Sequence, residues 1–163
     1  MPVPGHVGSD YERLRPDFRV IADPYVTGKR VMVVPAIRPD VAIVHAHLAD
    51  QAGTLLLEER EDDALLAQAS RVVIASAERI VPTDEIRRAP SGVRLESLHV
   101  AAVVEAPRGA HPTAVRGAYD LDEPHLLAYM AAAHDDVTFK TYLDRHVFGP
   151  VTWDDYLAAA RPA

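Results

Sequence analysis

Two histidines and an aspartate close an apolar run. Val41-Ala42-Ile43-Val44 leads into His45, Ala46 and His47, and Asp50 follows. Imidazole changes charge near neutral pH and can donate, accept or ligate a metal. A His-x-His pair at strand spacing puts both rings on one face, because strand side chains alternate with period two. Asp50 is then a conceivable third metal ligand. No spacing of a known zinc enzyme is matched, so hydrogen bonding at a strand end is preferred and no metal is expected. A second candidate is the loop Pro107-Arg108-Gly109-Ala110-His111-Pro112-Thr113. Its glycine permits close backbone approach to a ligand, and His111 could donate to a carbonyl or carboxylate. The competing reading is a tight loop with no ligand. Gly8-Ser9-Asp10 is third. A serine nucleophile needs a histidine base and an orienting acid, and the chain has no Gly-x-Ser-x-Gly elbow. Glu78 and Glu105 each end an expected strand and could serve as base or nucleophile. Arg79 and Arg108 nearby favour salt-bridge roles for both.

The elements that must position these groups read as alternating strands and helices. Strands are expected over residues 18–22, 31–34, 41–46, 54–57, 71–77 and 98–105, several of them β-branched and apolar throughout. Such runs suggest strands covered on both faces. A short helix is expected over residues 11–14, others over 58–70 and 82–88. In the helix at 82–88, acids come early and bases late, as the helix dipole prefers. After a Gly- and Pro-containing loop over 106–119, helices follow at 120–133, 137–147 and after Thr152. The expected fold class is α/β, an open, mostly parallel sheet with flanking helices and a helical carboxyl-terminal tail. Ligands of such sheets bind outside the carboxyl ends of the strands, where His45, His47 and the 107–113 loop would fall.

Composition narrows the function classes. The 163 residues fit one domain. The formal net charge is -7, from 17 basic and 24 acidic side chains, so neither nucleic acid nor an anionic membrane is an expected partner. Cysteine is absent, which removes disulfides, thiolate metal sites and a cysteine nucleophile and is consistent with the cytoplasm. The amino terminus does not read as a secretory signal, no apolar run is long enough to span a bilayer, and no phosphate-cradling glycine loop is present.

Several motifs, taken in order, carry a resemblance: Gly8-Ser9-Asp10-Tyr11; Pro35-Ala36-Ile37-Arg38-Pro39-Asp40-Val41-Ala42; His45 with Ala49-Asp50 and Gly53; Gly109-Ala110-His111-Pro112-Thr113; Tyr119-Asp120; and Tyr142-Leu143-Asp144. Together they resemble the alpha-type chain of family I CoA-transferases, in the glutaconate CoA-transferase branch. Ring-opening CoA-ester hydrolases and a decarboxylase are relatives of that branch. The resemblance places this sequence in the carboxyl-terminal part of the family chain. It is therefore expected to be a single alpha-subunit-like domain over residues 1–163, without the family's glycine-rich amino-terminal half. It implies a beta-type partner subunit carrying a nucleophilic glutamate, an acyl-CoA site between the two chains, a coenzyme A thioester as substrate and no tightly bound cofactor. It points to Ser9, Asp10, His47, His111 and Thr113 as substrate-binding residues, and to no nucleophile in this chain. His47 departs from the glutamine of many relatives. The alternatives are a hydrolase or decarboxylase of the same fold, and a non-catalytic truncated paralogue.

Overall fold

The computed structural model describes residues 1–3 and 5–160. The chain divides into two compact units, Met1–Pro39 and Asp40–Ala163.

In the first unit, β1 (Pro2–Val3), β2 (Arg19–Ala22) and β3 (Arg30–Val33) form an antiparallel sheet in the order β1-β3-β2. The strands at 18–22 and 31–34 are expected from the sequence to belong to the α/β sheet; they pair with each other instead. The link between them, residues 23–29, is short and turn-rich, as an antiparallel hairpin allows and a parallel crossover does not. Helix α1 (Tyr11–Leu14) is one turn long and buries none of its residues.

The second unit holds a five-stranded sheet in the order β7-β5-β4-β6-β8. Its strands are β4 (Val41–Ala49), β5 (Leu55–Leu57), β6 (Val72–Ile80), β7 (Val93–Leu95) and β8 (Val100–Glu105). The central β4, β6 and β8 run parallel, whereas β5 runs antiparallel to β4 and to β7. One face of the parallel strands is tightly packed. Ala42, Val44, Ala46, Val73, Ala75 and Ala77 are buried there with Leu55, Leu57, Leu95 and Ala67 of helix α2 (Asp63–Ala69). The expectation that both faces are covered is not met, since Ile43 on the other face is 77% exposed. Helix α3 (Thr83–Arg88) follows β6 and buries Ile86 against Leu56 and Val81.

Beyond β8 come α4 (Glu123–Ala132), α5 (Asp136–Leu143) and α6 (Trp153–Ala160). Asp122 caps α4 by accepting from the His125 amide, and Asp135 caps α5 by accepting from Val137 and Thr138. Such caps satisfy amides that the first helical turn leaves without partners. The expected helix at 137–147 changes to a π-helical turn over Asp144–Phe148.

Candidate functional site

Because β4, β6 and β8 are parallel, their carboxyl ends share one edge, and the register sets His45 beside Ser76 and Ala77 beside Glu105. The loop over residues 106–119 leaves β8 at that edge and folds back across it. Between loop and sheet lies a hollow of about 500 Å³ whose lining includes His45, His47, Glu58, Arg116, Tyr119 and Asp120. His47, Glu58, Arg116 and Gly117 also line a larger trough of about 820 Å³, which includes Leu48, Leu56, Pro82 and Ala89.

His47 stands at this junction. Its Nε2 lies 3.4 Å from Glu58, whose other carboxylate oxygen is 3.7 Å from Arg116. The result is a polar trio at the meeting point of two ligand-sized spaces.

Glu78 forms the most connected group at the strand edge. Its Oε2 accepts from the Arg108 amide at 2.7 Å. Its Oε1 accepts from His45 Nε2 at 2.7 Å and from the Tyr119 hydroxyl at 2.9 Å. The Tyr119 hydroxyl in turn accepts from the Ala110 amide at 2.9 Å. Burial by itself would raise the Glu78 carboxyl; the three donors outweigh it and hold the group below its ordinary value. The Tyr119 phenol is pushed up to about 12, first by burial and then by the carboxylate it faces. Glu78 is therefore ionised and Tyr119 neutral at ordinary pH. The ionised acceptor at Nε2 selects, for the neutral form of the His45 ring, the tautomer with its proton there, in which Nδ1 accepts from the Ser76 hydroxyl 2.8 Å away. The salt-bridge expectation for Glu78 is corrected: Arg79 pairs with Glu85 instead. Glu105 likewise serves the backbone, accepting from the Ile80 amide.

On the outer side of the loop, His111 is enclosed. Its Nε2 donates to Asp122 at 3.0 Å and its Nδ1 lies 2.9 Å from the Tyr156 hydroxyl of α6. Trp153 of the same helix donates to the Pro107 carbonyl at 2.7 Å. The ring of His125 lies edge-on to His111 and His146, with centroids 5.2 and 4.8 Å away, and its Nε2 meets the Tyr142 hydroxyl at 2.8 Å. Burial first, and then a neighbouring imidazole, lowers the pKa of both His125 and His146.

The five residues expected to bind substrate are distributed as follows. His47 lines both hollows. His111 and Thr113 line neither: both His111 nitrogens are engaged, and the Thr113 hydroxyl donates to the Ala110 carbonyl. Ser9 and Asp10 belong to the Met1–Pro39 unit. There, Ser9 donates to the His6 carbonyl at 2.6 Å and Asp10 lies 3.3 Å from Arg13. Asp50, the conceivable third metal ligand, instead holds a turn, accepting from the Ala52 and Thr54 amides and the Thr83 hydroxyl. Sequence reasoning singled out His45 at the strand edge but left it out of the substrate-binding set, and passed over Glu58, Arg116 and Tyr119 as hollow-lining groups. Polar side chains recurring at period two where apolar strands end, as in His45 with His47 and Ser76 with Glu78, carried the signal for the strand edge; nothing comparable marked the loop residues Arg116 and Tyr119.

Residues 13–106 match the family described as Coenzyme A transferase. The chain belongs to that family. It is 36% identical to the A subunit of glutaconate CoA-transferase from Acidaminococcus fermentans over 141 residues, 86% of this chain and 44% of the relative. The crystal structure of glutaconate coenzyme A-transferase from that organism superposes with a TM-score of 0.84 at 32% identity, covering 97% of this chain and 55% of the other. A cholesterol ring-cleaving hydrolase IpdA subunit of Rhodococcus jostii is 31% identical over 171 residues, 99% of this chain and 57% of the relative. A variant of the decarboxylase AibA/AibB matches with a TM-score of 0.72 at 36% identity, covering 89% of this chain and 53% of the other. The chain spans about half the length of these relatives. The sheet is mixed rather than mostly parallel, with two parallel and two antiparallel pairings; with its flanking helices and helical carboxyl-terminal region it is the α/β fold of this CoA-transferase family.

Proposed function

We propose that this chain is the alpha-type part of a heteromeric CoA-transferase that handles the coenzyme A thioester of a carboxylic or dicarboxylic acid. The observation that carries this reading is a polar hollow at the carboxyl ends of the parallel strands, open to His47 and Arg116, in a chain of this family. The unit Asp40–Ala163 shapes the acyl side of the site, and a beta-type partner supplies the glutamate nucleophile. That carboxylate attacks the thioester carbonyl and expels CoA as thiolate, leaving an acyl-glutamyl anhydride. Splitting the transfer into such steps lowers each barrier. The work of this chain is orientation. His47 offers a ring N–H to an acyl oxygen, and Arg116 exchanges Glu58 for a ligand carboxylate. His111 and Thr113 contribute through the loop they hold. No tightly bound cofactor takes part. Placement in the cytoplasm goes with this reading, supported by the cysteine-free composition.

Hydrolysis or decarboxylation is the second reading, favoured by the activities for which two of the relatives are named. The deciding experiment purifies the chain with a beta-type partner and supplies acyl-CoA thioesters with acetate as acceptor. Transfer produces acetyl-CoA; hydrolysis produces free CoA without it, and decarboxylation releases carbon dioxide. His47→Ala should raise KM by on the order of tenfold without changing the melting temperature. Free CoA as the sole CoA product would overturn the transfer reading.

A further inference from the structure

We propose that Glu78 is the positioning residue of the hollow: a single largely buried carboxylate that orients the His45 ring and the Tyr119 hydroxyl and fastens the 106–119 loop to the end of β6. The inference rests on reading the hollow as an acyl-CoA site. His45 and Tyr119 line the hollow, whereas Glu78 does not, so it acts through them.

Three donors converge on this carboxylate from chain positions 30, 33 and 41 residues away. No local element makes these bonds, so the loop's position depends on them. Arg108, the first residue fastened, has a φ of 60°, a left-handed conformation that non-glycine residues rarely adopt. Its guanidinium carbon lies 5.2 Å from the centre of the Tyr119 ring, within cation–π range. Between the two fastened amides, of Arg108 and Ala110, Gly109 passes so close to His45 that a β-carbon would stand 2.8 Å from the ring. The ring, the loop and the tyrosine are thus fitted around one acceptor. A role for Glu78 as nucleophile or base is disfavoured, because its oxygens already face three donors.

A glutamine at this position keeps the volume but has one acceptor oxygen and one donor group. If its oxygen keeps the Arg108 amide, its NH2 faces His45 and Tyr119. His45 must then accept at Nε2 and move its proton to Nδ1, towards Ser76. This consequence separates a positioning role from a merely structural one.

The test compares, each in complex with a beta-type partner, the wild-type chain with Glu78→Gln, Tyr119→Phe and Glu105→Gln, the last altering a carboxylate that accepts from the Ile80 amide. The readouts are the His45 tautomer by nitrogen NMR, amide exchange at Arg108 and Ala110, and glutaryl-CoA affinity by calorimetry. Glu78→Gln should switch the tautomer, speed exchange by about tenfold and weaken glutaryl-CoA binding by about tenfold or more. Tyr119→Phe should free the Ala110 amide and weaken binding while leaving the His45 tautomer unchanged; it carries the test if Glu78→Gln does not fold. Glu105→Gln should alter none of these. An unchanged tautomer and unchanged exchange in Glu78→Gln overturn the proposal, as does binding no weaker than in Glu105→Gln. A wild-type complex that does not bind glutaryl-CoA, with tautomer and exchange responding as stated, removes the acyl-CoA reading and leaves the orienting role standing.

Discussion

Gly109 offers a sharp test of how the loop sits on the sheet. Replacing it by alanine adds one methyl group. Its carbon would stand 2.7 Å from the Ala106 carbonyl oxygen, 2.8 Å from His45 Cε1 and 3.1 Å from Ala106 Cβ. Two of those atoms belong to Ala106, whose amide is bonded to the Ala77 carbonyl. The third belongs to a ring held at both nitrogens, by Ser76 and Glu78. None is the free end of a flexible side chain, so relief requires the loop to lift. Forcing a methyl group into a packed site costs about 1–3 kcal/mol. At about 2–4 °C per kcal/mol for a chain of this size, Gly109→Ala should lower the melting temperature by roughly 2–12 °C. Calorimetry with urea titration measures it. The double variant Gly109→Ala/His45→Ala provides the internal check. Removing the ring relieves one of the three contacts, so the added methyl should cost less in the His45→Ala background. A Gly109→Ala chain within about 0.5 kcal/mol of wild type, or an equal cost in both backgrounds, refutes the packing argument.

Acid should weaken the fold through the histidine cluster. His125 and His146 hold protons less tightly folded than unfolded, so the unfolded chain takes up more protons as pH falls. Their contribution is complete above the ordinary histidine value of 6.5 and is lost as pH falls below it. Melting temperatures from pH 8 to pH 5 should therefore decline, less steeply in His125→Asn, and a flat wild-type profile would sink this reasoning. Tyr156→Phe should cost about 1–3 kcal/mol by leaving the buried His111 Nδ1 without its hydroxyl. Trp153→Phe, which frees a more exposed carbonyl to water, should cost less; urea titrations that reverse this order would count against the enclosed His111.

Much of the central sheet was legible in the residues alone. The β-branched, apolar runs read as the three central strands, because side chains that crowd a helix pack well on a pleated sheet. The expected strand over 41–46 extends to Ala49, so His47 lies inside β4 rather than beyond it. Motifs spread in order from Gly8 to Asp144, those around His45 and residues 109–113 among them, together resembled the family to which the chain belongs. Short elements were less legible. The three-residue strand β7 (Val93–Leu95) carries too little periodicity to be distinguished from a loop.

Which groups meet was settled by the folded chain. Glu78 reads locally as a surface acid beside Arg79, yet the parallel register of β4 with β6 sets it against His45, and the return of the 106–119 loop brings Arg108 and Tyr119 to it. His111 reads as a ligand group in a functional loop, yet α4 and α6 close over it and use both nitrogens. Local sequence records what a side chain can donate or accept. Which partner it finds depends on strand register and chain return, which are set by burying one shared face of the sheet across the whole unit.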